Sequence, residues 1–162
     1  MVRQIQSVSG NVGYRNQLDR ARRFLDRIQM TPEDWEDMDD VEFQDMMWAF
    51  FQNCWHVKDW LKNDPLVSQV VKDAAIQGAH QSQHLKMCQE LCNGTKHLGA
   101  RPGASHHHIN TTIIPGAGIR DVDCIVDDGT GKLISGKQLA SDCIAEWERI
   151  LNSHGLAIAR RS

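Results

Sequence analysis

The sequence has no apolar run long enough to cross a bilayer, a single tyrosine, four prolines and no C-x-x-C pair in its 162 residues. The missing apolar run excludes a membrane-spanning helix. Met1 to Gly13 has one early arginine but lacks the apolar core of a secretory leader, so the expectation is a cytoplasmic protein. Five cysteines at 54, 88, 92, 124 and 143 are an odd, scattered set rather than a disulfide framework, and reduced thiols in a reducing compartment are the simplest account. No glycine-rich segment has the strand-turn-helix setting of a phosphate loop, and no serine sits in a nucleophile elbow. A net charge of -3 excludes a global attraction to nucleic acid.

What is present is ordinary globular material, 41% hydrophobic and 24% charged, at a length suited to a single domain over 1–162. Charge is unevenly spread. Arg15, Arg20, Arg22, Arg23 and Arg27 precede the acidic run Glu33 to Asp45. Asp19 and Asp26 alternate with those arginines, so the stretch reads either as a local basic stripe or, in preference, as a solvated helix face.

Periodicity predicts a mainly α protein of α+β type. Tyr14, Leu18, Ala21, Leu25 and Ile28 recur at spacings of three and four and define a first helix. Thr31-Pro32-Glu33-Asp34 has the capping signals of a second, short acidic helix. From Val41 to Asp64, Phe43, Met47, Phe50, Cys54, Val57 and Leu61 make one continuous stripe. Asp64-Pro65 ends that helix and starts the next, which reads as helical through Cys92, with Gly78 as a bend or close-contact point. A helical bundle over about 14–97 is followed by a loop at 98–108 and a small antiparallel β element over about 109–134. The last helix, about 137–153, turns Leu139, Cys143, Trp147 and Ile150 inward.

On the helix bearing the continuous stripe, a rotation of about a hundred degrees per residue gathers Gln52, His56, Asp59 and Asn63 on the opposite side. Plain solvent exposure would account for such a strip. Trp48 and Trp55 border it on one side and Trp60 on the other, however, and tryptophans seldom flank bare solvent. The strip therefore reads either as a structural polar network or as a site in which Asp59 orients His56 for acid-base work.

The segments Cys54-Trp55-His56-Val57-Lys58-Asp59-Trp60-Leu61-Lys62-Asn63-Asp64 and Leu91-Cys92-Asn93-Gly94-Thr95-Lys96-His97 resemble paired signatures of a group of bacterial and phage-type proteins. That group is in turn similar to the HEPN superfamily. The resemblance implies an antiparallel helical bundle that forms a homodimer and, in many members, a metal-independent RNase of defence or toxin-type systems. The superfamily motif is an Arg, often followed by Asn, then a short spacer and a His. Asn93 takes the polar position, Lys96 closes the spacer and His97 is the terminal His, while Cys92 stands where the family has Arg. A thiol supplies no positive charge to a phosphate; Lys58 or Lys96 would have to.

The polar strip and the resemblance together make His97, His56, Asp59, Asn93 and Lys96 the expected catalytic residues and Asn63 and Lys58 the expected binding residues, without a cofactor. Two functions follow: an RNase or RNA-directed enzyme, or a catalytically silent dimeric module that binds a nucleotide, RNA or a protein.

Other histidines and cysteines give no zinc-ligand spacing. His80 and His84, one turn apart on an unbroken helix, would suit a transition metal but have no acidic third ligand nearby in sequence. The run His106-His107-His108 reads as solvated loop. Cys88 and Cys92 read as small core residues in preference to a redox pair.

Overall fold

The computed structural model describes residues 13–30, 40–94, 109–116, 119–127 and 130–159. The chain is mainly helical with a small antiparallel sheet and a final helix. Its elements are α1 (Tyr14–Ile28), α2 (Asp40–Trp55), α3 (Val57–Lys62), α4 (Gln69–Gln81), α5 (Gln83–Gly94), β1 (Ile109–Gly116), β2 (Ile119–Asp127), β3 (Leu133–Ser135) and α6 (Gly136–Ser153). The acidic helix expected from Thr31, the loop at 98–108 and its histidine run lie outside the described residues.

Helix α6 organises the packing, because its apolar stripe of Leu139, Cys143, Trp147 and Ile150 is buried and it lies against α1, α2, α4 and α5 as well as β2 and β3. The stripe of α2 and α3, Phe43, Met47, Phe50, Cys54, Val57 and Leu61, is buried with it. Both join one continuous core with Tyr14, Leu18, Ala21 and Ile28 of α1.

The sheet has the order β1-β2-β3, both pairs antiparallel, with Ile109 opposite Val126 and Ile125 opposite Ser135. Its attachment to the bundle is a helix cap. Asp123 of β2 is buried, accepts from Lys137 N at 3.0 Å and bonds Ser135 Oγ, while Ser135 Oγ accepts from Gln138 N at 3.1 Å. A carboxylate and a hydroxyl at the start of α6 satisfy its orphan amides and suit its dipole.

Two expected helices are interrupted. The helix over Val41–Asp64 breaks at His56, for a reason given below. The segment expected to be helical from Leu66 is a turn until Ser68, which caps α4, and it breaks again at Ser82. Ser82 is extended, and its hydroxyl accepts from Leu85 N at 3.3 Å, so α5 begins with its own cap. Asp64 shapes the first of these turns: the buried carboxylate accepts from Leu66 N at 2.9 Å and from Tyr14 N at 3.2 Å, fastening the start of α1 to the α3–α4 connection.

The arginines of α1 divide. Arg20, Arg23 and Arg27 are exposed as expected of a solvated face, whereas Arg22 is buried between Asp19 at 3.0 Å and Glu148 of α6, whose carboxylate its Nε meets at 3.0 Å.

Two glycines test this packing with opposite signs. A Cβ at Gly136 would meet the Cys124 carbonyl and Met47 Cε, both at 2.8 Å, so Gly136→Ala should lower stability by about 1–3 kcal/mol. A Cβ at Gly78, inside α4, would make ordinary contact with Ile150 at 3.5 Å, so Gly78→Ala should raise stability by about 0.5–1 kcal/mol through the helix propensity gained. Urea unfolding of both variants checks the pair.

Candidate functional site

The break at His56 sets the geometry of the polar strip. In an unbroken helix Asn53 O would accept from Val57 N; here Gln17 Nε2 of α1 donates to Asn53 O at 2.9 Å and to Asn53 Oδ1 at 3.1 Å. One residue on, Cys54 O accepts from Trp147 Nε1 of α6 at 3.0 Å. Side-chain donors entering a helical ladder interrupt it. The chain resumes as α3 once His56 O accepts from Asp59 N and Trp60 N, at 3.0 and 3.1 Å.

α3 buries Val57 and Leu61 and packs on α1 and α4. Helical rotation then turns Lys62, Asp59, Asn63 and His56 outward, with Lys58 on one flank and Trp60 on the other. His56, Lys58, Asp59 and Trp60 are half-buried and Asn63 is exposed. Asp59 does not orient His56. Its Oδ1 accepts from Lys58 Nζ at 2.6 Å, and its backbone carbonyl accepts from Asn63 Nδ2 at 2.8 Å.

Two of the three tryptophans beside the strip carry a cation of this chain. Arg20 of α1 lies over the half-buried Trp60 ring at 5.5 Å, and Lys58 lies over Trp55 at 5.2 Å. Trp55 is buried and meets His80 edge to face at 5.4 Å. The exposed face shared by α1 and α3 therefore presents Arg20, Trp60, His56, Asn63 and Lys62 together, a cationic and aromatic surface that composition alone did not reveal.

The described part of the second signature segment, residues 91–94, lies elsewhere. Because α4 ends beside Trp55 and Cys88 Sγ meets Phe51 O at 3.4 Å, α5 runs antiparallel to α2. That direction carries Asn93 toward the start of α2, roughly 15 Å along the bundle from His56 at the usual helical rise. Asn93 is exposed and Cys92 is fully buried. Lys96 and His97 lie outside the described residues. His80 and His84 do not share an unbroken helix, since Ser82 separates α4 from α5: His80 lies against Trp55, while His84 Nε2 approaches Asp142 at 3.8 Å.

A second constellation went unseen in the sequence. Cys54, Cys88 and Cys143, from α2, α5 and α6, are all buried, with their three Sγ atoms within 4.8 Å of one another. Cys54 and Cys143 lie on apolar stripes and Cys88 read as a small core residue, which signalled burial, but nothing local signals that the three helices meet at sulfur. Burial pushes the Cys88 and Cys143 thiols well above their usual range. At Cys54 burial also opposes ionisation, but the hydrogen-bonding groups of Cys143, Cys88 and Trp147 around it outweigh burial and lower that thiol to about 5.

Comparison of the chain with protein-family models, curated proteins and solved structures finds no match.

Trp147 serves both the helix break and the sulfur trio. Trp147→Phe keeps the aromatic bulk and removes the donor, leaving the Cys54 carbonyl unsatisfied in the core. Stability should fall by about 1–3 kcal/mol in urea unfolding.

Proposed function

We propose that this chain is a HEPN-like helical module that binds a nucleotide or single-stranded RNA on the α1–α3 face and performs no chemistry on it. The observation that carries the reading is the placement of Arg20 over Trp60, beside the exposed polar strip of α3. A base stacks on an aromatic ring while its phosphate takes a neighbouring cation, and this pairing tolerates any sequence because every base has a flat face. Lys62 and Asn63, both exposed, add a charge and a hydrogen-bonding amide on the same face. The net charge of -3 is compatible with this reading, because the ligand meets a local surface rather than a uniformly basic protein.

Silence rather than catalysis is supported by two side chains. Cys92, at the position of the superfamily's Arg, is sunk in the core, where it offers nothing to the charge developing on a phosphate. Asp59 is engaged by Lys58, so His56 lacks the carboxylate that would orient it as a general base. The resemblance further implies a homodimer, and the module is proposed to act as one.

Fluorescence anisotropy with a labelled mixed-sequence single-stranded RNA, in EDTA, tests the reading. Binding should weaken with salt and fall roughly tenfold in Trp60→Ala, with the RNA left intact. Equal binding by wild type and Trp60→Ala, or no binding, contradicts the proposed face. Cleavage that disappears in His97→Ala would establish the RNase reading in its place. Sedimentation showing only monomer at micromolar concentration would contradict the dimer.

A further inference from the structure

The sulfur trio is built from three separate helices. Cys54, Cys88 and Cys143 are each 0% exposed, and among the described residues no histidine or carboxylate joins the group. Two of the thiols are held in place by backbone: Cys88 Sγ donates to Phe51 O and Cys143 Sγ to His84 O, both at 3.4 Å. Small core residues need only fill volume, and three of them on three helices need not turn their sulfurs toward a common point. A trigonal ion with metal–sulfur bonds of about 2.3 Å sets its sulfurs about 4 Å apart. The observed limit of 4.8 Å lies within small side-chain adjustments of that spacing.

We propose that Cys54, Cys88 and Cys143 form a closed three-sulfur site for a soft monovalent ion, copper(I). The donor set selects the ion. All-sulfur ligation rejects magnesium, calcium and manganese, which take oxygen. Structural zinc takes four ligands, and among the described residues this buried group offers three, with the sulfurs closed to solvent. Copper(I) is soft, prefers thiolate and is satisfied by three ligands. Its single charge is balanced by one thiolate, so binding need not leave a net charge in the core, where an uncompensated one is costly. The step transfers no electrons: sulfur lone pairs bond the ion, and each thiol that becomes a thiolate releases its proton to water. The site closes only when α2, α5 and α6 pack, so the ion enters with folding or through local opening, and its binding free energy adds to that of the fold.

The test uses the full-length reduced protein without oxygen, with copper(I) supplied against a competing chelator. One equivalent per chain should be retained, with a higher Tm, and X-ray absorption should show three sulfur neighbours at about 2.3 Å. Cys88→Ser and Cys54→Ala should each weaken retention at least a hundredfold, while Cys124→Ala, at a buried cysteine outside the trio, should match wild type. The absorption spectrum of the wild-type protein decides the matter even where a variant fails to fold. Nitrogen ligation, as the run His106–His108 would give, overturns the proposal. So do loss of copper to the chelator, tight zinc binding that excludes copper, and retention unchanged in Cys88→Ser.

Discussion

Two backbone carbonyls at the end of α2 govern the arrangement of this protein. Asn53 O is taken by Gln17 and Cys54 O by Trp147, so residues 36 and 93 positions away in sequence reach into one helix and stop it. A buried carbonyl must have a partner, and these two find theirs outside the ladder. Once they do, the chain turns at His56, and α3 becomes a separate short helix seated between α1 and α4. The turn leaves the polar strip facing outward with Trp60 under Arg20. It also draws α6 against α2 at Trp147, one helical turn from Cys143. The candidate binding face and the sulfur trio are thus two consequences of one junction.

Burial was legible in the sequence wherever it depended on a repeating local pattern. Every residue of the stripes from Phe43 to Leu61 and from Leu139 to Ile150 is buried, and the β-branched runs after residue 108 form the expected sheet. These features follow from the period of side chains along a helix or strand, which the sequence displays directly.

What stayed hidden depends on partners far along the chain. The break at His56 needs Gln17 and Trp147, and no local propensity at Cys54-Trp55-His56 announces it. Arg22 looked like the other arginines of α1; only Glu148 of α6, 126 residues away, makes it an interior side chain. Asp59 looked like a partner for His56 because helical spacing brings them close, yet its carboxylate takes the neighbouring Lys58 ammonium. Ser82 is an ordinary helix residue in the periodic pattern but serves as the cap of α5, so the apparent His80–His84 pair is split. The cysteines show the same limit: Cys54 and Cys143 lay on apolar stripes and Cys88 read as a small core residue, and the angle at which three helices meet decides that the thiols come together.

The junction itself is open to direct measurement by hydrogen exchange in the wild-type protein. The account predicts that the indole N–H of Trp147 is strongly protected, because it is buried and donates to Cys54 O. It also predicts that the Val57 amide, left without its carbonyl in the ladder, exchanges faster than the amides of Phe51 and Leu61 on either side of the break. A freely exchanging Trp147 indole together with a Val57 amide as protected as its neighbours would mean that α2 and α3 are one continuous helix, and would contradict the account at its base.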